Sequence, residues 1–191
     1  AGGLFGFGRV AMSDVMFKKD ADLAEVRGVV GHEMGHYVRK HVLIGVVETG
    51  LLTLVGLFLV DRLFPAAARL LGAKGVAGLA DPAGLPVISI VLAVLGLLAT
   101  PINNTYSRWV ESDADHFSVV HFNEPDGLAK ALVKTIEYRA DSPSALEEFI
   151  FYDHPSVRRR VRAMMDWKAA HPKSEPVPAA GAPPASPPPG A

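Results

Sequence analysis

The 191-residue sequence contains no cysteine, which excludes disulfide staples, Cys-based zinc fingers, iron–sulfur clusters and thiol nucleophiles together. Any metal it holds must be held by His, Asp or Glu. Charge is scarce too: 20% of the residues are charged against 49% hydrophobic, and the mean hydropathy is +0.23. That composition excludes a disordered chain and is unusual for an ordinary soluble one. No surplus of positive charge exists either, since 19 Lys and Arg face 20 Asp and Glu for a formal net charge of −1. Bulk charge therefore gives no reason to expect nucleic acid as a partner. Near Ala1 there is no charged segment leading into an apolar core of the kind a secretory leader needs. The chain reads as a piece of a longer protein.

Long apolar runs are what the sequence does have. From Val42 to Val60 only Glu48, Thr49 and Thr53 are polar, and from Leu85 to Ile102 only Ser89 and Thr100. Crossing about 30 Å of hydrocarbon takes roughly 20 mainly apolar residues, with about 17 near the lower limit. Both runs are candidate transmembrane helices, because a chain this short lacks the mass to cover two such helices on all sides. Asp61 to Gly84, rich in Gly, Ala and Pro, is expected to be a loop joining them into a hairpin, with the flanking segments on one side. Lys18, Lys19, Arg27, Arg39 and Lys40 precede the first run and Arg108 follows the second, whereas the connection holds Arg62, Arg69 and Lys74. The positive-inside tendency places the flanks in the cytoplasm. Glu48 is costly inside lipid and could line a polar chamber.

The chain divides into four parts: 1–41, an N-terminal strand or strands plus a helix; 42–102, the transmembrane hairpin; 103–171, a helical part; and 172–191, a tail. Leu4–Phe17, with glycines at 6 and 8 and loosely alternating apolar residues, reads as one or two short strands. Asp22 with Glu25 makes a capping box for a helix running from about Leu23 into the first span. Thr105 to Phe122 reads as a helix. Asp126 caps a further one with Leu128, Leu132 and Ile136 on one face, and two helical pieces follow near 143–151 and 155–169. From Pro172 onward eight of twenty residues are proline, a composition with nothing to bury and expected to be disordered.

Chemistry concentrates at His32-Glu33-Met34-Gly35-His36. Positions i and i+4 of a helix share a face, so both imidazoles can reach one metal ion. Glu33 beside them can take a proton from a metal-bound water, which is the HExxH arrangement of zinc hydrolases. A catalytic zinc needs a third protein ligand, and without Cys it must be His or a carboxylate. Glu111 and Asp115, again i and i+4, follow the second span on the membrane side where His32 lies. One can ligate while the other orients an imidazole through its free N–H. Asp113 falls on the opposite side of that helix and reads as solvated. His41, His116, His121 and His171 show no partner spacing. Tyr106 and Trp109 sit at the end of the span, where aromatic residues anchor at the interface.

With a two-span hairpin between His32-Glu33-Met34-Gly35-His36 and Ser107-Arg108-Trp109-Val110-Glu111-Ser112-Asp113-Ala114-Asp115, the chain resembles the membrane zinc metalloproteases of the CAAX prenyl protease type. The bacterial heat-shock membrane protease is a cousin with the same core. The resemblance covers roughly Leu4 to Trp167. It implies a mainly α, membrane-embedded, gluzincin-like HExxH core with a transmembrane helical hairpin and a short N-terminal edge strand that pairs with an extended peptide. It further implies one Zn²⁺ held by His32, His36 and Glu111, Glu33 as the base, and Asp115 standing behind the ligands. The family's His-Pro-x-x-x-x-Arg element appears as His154-Pro155 through Arg160. His154 and Arg160 are expected to hold the substrate backbone or the tetrahedral oxyanion, where a cationic fork and an imidazole donor suit a developing negative oxygen. The family carries more spans upstream, and its Asn-Ala entry to the edge strand is Ala1-Gly2-Gly3 here.

The function so implied is a zinc-dependent integral-membrane endopeptidase, multi-pass in a bacterial inner membrane with its site on the cytoplasmic side. Its partners would be the bilayer and membrane-associated or prenylated polypeptides, with no nucleic acid. Quality-control proteolysis of the heat-shock type is the alternative. A non-catalytic scaffold that keeps the metal for structure would have no use for Glu33. A soluble HExxH peptidase would have to bury both apolar runs.

Overall fold

The computed structural model describes residues 22–134 and 143–172. The expected N-terminal strand at Leu4–Phe17, Ile136 and nearly all of the Pro-rich tail lie outside the described residues. Among those described there are six α-helices, one short 3-10 turn and no strand. The helices are α1 (Leu23–Val38), α2 (His41–Leu70), α3 (Leu85–Phe122), α4 (Pro125–Val133), α5 (Ala145–Phe151) and α6 (Val157–Ala170).

The helix expected to run from Leu23 into the first apolar stretch is two helices. Gly35 carbonyl oxygen accepts the Arg39 N–H at 2.9 Å, and Lys40 turns left-handed at φ 59°, ψ 33°. Such a residue cannot continue a right-handed helix, so α2 starts in a new direction at His41. At the other end of α1, Asp22 accepts from the Ala24 N–H at 3.0 Å as an N-cap. Glu25 does not close the expected capping box: it is buried and takes Lys134 as its partner. Asp126 likewise does not cap α4, which opens on Pro125 after Glu124, as suits a residue with no N–H to satisfy. Asp126 instead accepts from Lys168 Nζ at 2.7 Å.

The hairpin connection is shorter than Asp61–Gly84, because α2 persists to Leu70 and a 3-10 turn at Pro82–Gly84 leads into α3. Val60 and Phe64, one turn apart, are buried in α2, as are Val87 and Val91 in α3. The Phe64 ring lies so close to Gly84 that a Cβ there would meet its Cζ at 3.0 Å. Away from that seam the outward face of the hairpin is bare: Leu54 and Leu97 are each 66% exposed and Phe58 is 56% exposed. Both α2 and the helix containing 85–102 are long and apolar enough to cross a membrane. Unbroken at Pro101, α3 continues for 38 residues, so the second apolar run and the following polar helix are one rod. Its Glu111 stands about 14 Å beyond Ile102 at about 1.5 Å per residue.

The buried core lies beyond the hairpin. Val119, Leu128, Ala129, Leu132, Val157 and Met164 cluster there, with Val29, Val161, Met165 and Trp167 packed against them. α1 reaches this core along a seam of small residues. A Cβ on Gly28 would meet Leu128 N at 2.7 Å, one on Gly31 would meet Ser118 Oγ at 2.6 Å, and one on Gly35 would meet Ala114 Cα at 3.0 Å. Ser118 Oγ donates to the Gly28 carbonyl at 2.7 Å, locking α1 to α3 at that distance. This close approach sets the height at which His32 and His36 face Glu111.

Candidate metal centre

Three donor atoms converge where α1 crosses α3. His32, His36 and Glu111 each offer one atom, and these lie within 4.8 Å of one another. His32 Nε2 and His36 Nε2 are 3.1 Å apart. Glu111 Oε2 is 3.5 Å from the first and Oε1 is 3.5 Å from the second. A tetrahedral zinc with bonds of about 2.0–2.2 Å places its ligand atoms roughly 3.3–3.5 Å apart, so this donor set fits that ion. The three side chains are 11%, 16% and 13% exposed, sheltered but still reachable by a substrate.

The remaining imidazole nitrogens are occupied, which leaves Nε2 of each ring for a metal. His32 Nδ1 is 2.9 Å from Asp115 Oδ1. His36 Nδ1 is 3.0 Å from His41 Nδ1, and His41 Nε2 is 3.1 Å from Asp113 Oδ2. Burial alone would raise the Glu111 pKa. The His36 and His32 imidazoles, with Arg160 and His154 close by, outweigh it and hold the carboxyl down at about 2. Asp115 is lowered despite stronger burial, chiefly by its Arg160 and His32 hydrogen bonds. Both are ionised at neutral pH, as a ligand and its supporting acceptor must be.

Arg160, expected at the substrate backbone or the oxyanion, is drawn onto the carboxylates beside the imidazoles. It is buried, with Nε 2.6 Å from Asp115 Oδ2, Nη2 2.7 Å from Asp115 Oδ1, and Nη1 3.2 Å from Glu111 Oε2. Its fork is spent on two carboxylates of α3, because α6 packs its Arg160 face inward on that helix. His154 is on the rim: its Nε2 lies 3.6 Å from Glu111 Oε1, its Nδ1 2.8 Å from Asp153 Oδ1, and 28% of the side chain is exposed. Glu33 is half-buried on α1 next to His32.

His41 and Asp113 are the members that sequence reasoning passes over. On one continuous helix His41 would sit about 140° round from His36, and Asp113 faces away from Glu111. The Lys40 turn brings His41 back beneath α1, where it is buried and meets Asp113. Lysine carries no preference for a left-handed turn, so no residue there signals the break.

The chain is similar to known proteins. The model of Peptidase family M48 matches residues 1–168. The "Uncharacterized metalloprotease YhfN" of Bacillus subtilis (strain 168) is 32% identical over 161 residues, which are 81% of this chain and 37% of that protein. A "Protease HtpX homolog" from Ralstonia pickettii (strain 12J) is 28% identical over 162 residues, 74% of this chain and 54% of its own. The crystal structure of S. mikatae Ste24p shares the fold, with a TM-score of 0.56 at 24% identity over 73% of this chain and 35% of that one. The chain thus spans between 37% and 54% of the length of the curated relatives it matches.

Proposed function

The chain belongs to peptidase family M48, and from that premise we propose that it carries the catalytic centre of an integral-membrane zinc endopeptidase. One observation carries most weight: the Nε2 atoms of His32 and His36 lie 3.1 Å apart and each is 3.5 Å from an oxygen of the Glu111 carboxylate, one residue from Glu33. His32, His36 and Glu111 would hold the ion. Zinc, when bound, supplies Lewis acidity that makes a water more acidic and polarises a carbonyl. Glu33 takes the proton from the attacking water and returns it to the leaving amine. His154, part-exposed on the rim, donates to the substrate backbone or the developing oxyanion. Arg160 and Asp115 act through the ligands, fixing His32 and Glu111.

Residues 1–41 and 103–171 would form the catalytic part, 42–102 the transmembrane hairpin and 172–191 a Pro-rich tail outside both. The uncovered apolar surface of α2 and α3 supports a membrane setting, and the basic flanks favour a cytoplasmic site. A site about 14 Å past the end of a span suits polypeptides held at the membrane, prenylated C-termini among them. Proteolysis of damaged membrane proteins is the second reading, favoured by the 28% identity to the HtpX homolog.

The test is cleavage of unstructured and prenylated peptides by detergent-purified protein, parent against Glu33→Gln. The parent should cleave and Glu33→Gln should lose at least about 100-fold in rate while keeping its zinc. Equal cleavage by both would remove Glu33 from its role.

A further inference from the structure

We propose that His41 and Asp113 form a second positioning arm of the metal centre, fixing the tautomer and ring orientation of His36. The proposal rests on the zinc reading of His32, His36 and Glu111. Asp113, as a carboxylate, can only accept, so the His41 Nε2 facing it at 3.1 Å must carry the proton. A neutral imidazole then has a bare Nδ1. That Nδ1 is 3.0 Å from His36 Nδ1, which therefore donates to it. The lone pair of His36 is left on Nε2, the atom that points at His32 Nε2 and Glu111. One carboxylate, acting through one relaying imidazole, thereby selects the ligating nitrogen.

His32 is held by a carboxylate directly, through Asp115. His36 is held by Asp113 at one remove. The relay itself is anchored: His41 is buried, and Tyr106 Oη donates to its carbonyl at 2.8 Å. Asp113 is steadied from the other side by Arg39, whose Nε lies 3.5 Å from Oδ2. Supporting partners of this kind change metal affinity by about 10–100-fold when removed.

The experiment is chelator competition for zinc on the detergent-purified chain, with thermal unfolding of each metal-free protein measured in parallel. His41→Ala and Asp113→Ala should each weaken zinc binding by about 10–100-fold, and the double variant should be no weaker than His41→Ala alone. His41→Asn, whose amide oxygen replaces Nδ1 as acceptor, should recover part of the loss. Metal-free unfolding should stay at the parent temperature for Asp113→Ala, which is at a partly exposed position. Unchanged zinc affinity in both single variants overturns the arm. So does a loss that merely tracks lower metal-free stability, or additive losses in the double variant. A parent chain with no zinc affinity overturns the metal site itself, and the arm falls with it.

Discussion

Arg160 separates two roles that a motif alone cannot. An arginine reserved for substrate would be dispensable to the folded protein, whereas one clamped on Asp115 and Glu111 leaves buried carboxylates uncompensated when it is removed. Arg160→Met should therefore lower stability of the metal-free protein by about 3–5 kcal/mol, read by thermal or chemical unfolding. Lost turnover at parent stability would instead return Arg160 to the substrate. His32, His36 and one carboxylate of the Glu111/Asp115 pair could be expected together from i, i+4 spacing and the absence of Cys; that Glu111 is the one facing both imidazoles was implied by the family resemblance and not by spacing. The partner of Arg160 was not legible, since its direction depends on how α6 docks on α3. His41 and Asp113 were hidden for a related reason: the contact exists only because the backbone inverts at Lys40.

At the scale of elements, the height of α1 against α3 positions the ligands, and the glycine seam sets it. Gly31→Val places new carbon against Ser118 Oγ and the Phe122 ring, with Ser118 already committed to the Gly28 carbonyl. The change should cost about 1–3 kcal/mol and weaken zinc binding by separating the two helices. Gly50→Ala, where nothing lies within 4 Å of the added carbon, should leave zinc affinity at the parent level. Chelator competition and unfolding of both variants check this. Apolar runs and polar helices were read correctly as helical, but α3 is one rod where two segments were expected. A proline such as Pro101 removes one hydrogen bond, the one to the Leu97 carbonyl, and is not an obligatory end. The same continuity extends α2 past Asp61, because Val60 and Phe64 find buried positions one turn apart.

For the whole molecule, the division between a bare apolar hairpin and a packed polar end was visible in hydropathy alone. The small core formed by α1, α3, α4 and α6 was not, since it draws single residues from distant segments. The division predicts that the expressed chain stays with membranes through high-salt and alkaline washing and leaves only with detergent. Recovery as a detergent-free soluble monomer would show that the hairpin is covered by something other than lipid.

Metal analysis of the purified chain beside its ligand variants tests the central claim most directly. About one zinc per chain in the parent and in Glu33→Gln, with His36→Ala and Glu111→Ala near zero, is the outcome expected of a His₂Glu site. Zinc retained in full by Glu111→Ala, or absent from the folded parent, would contradict it.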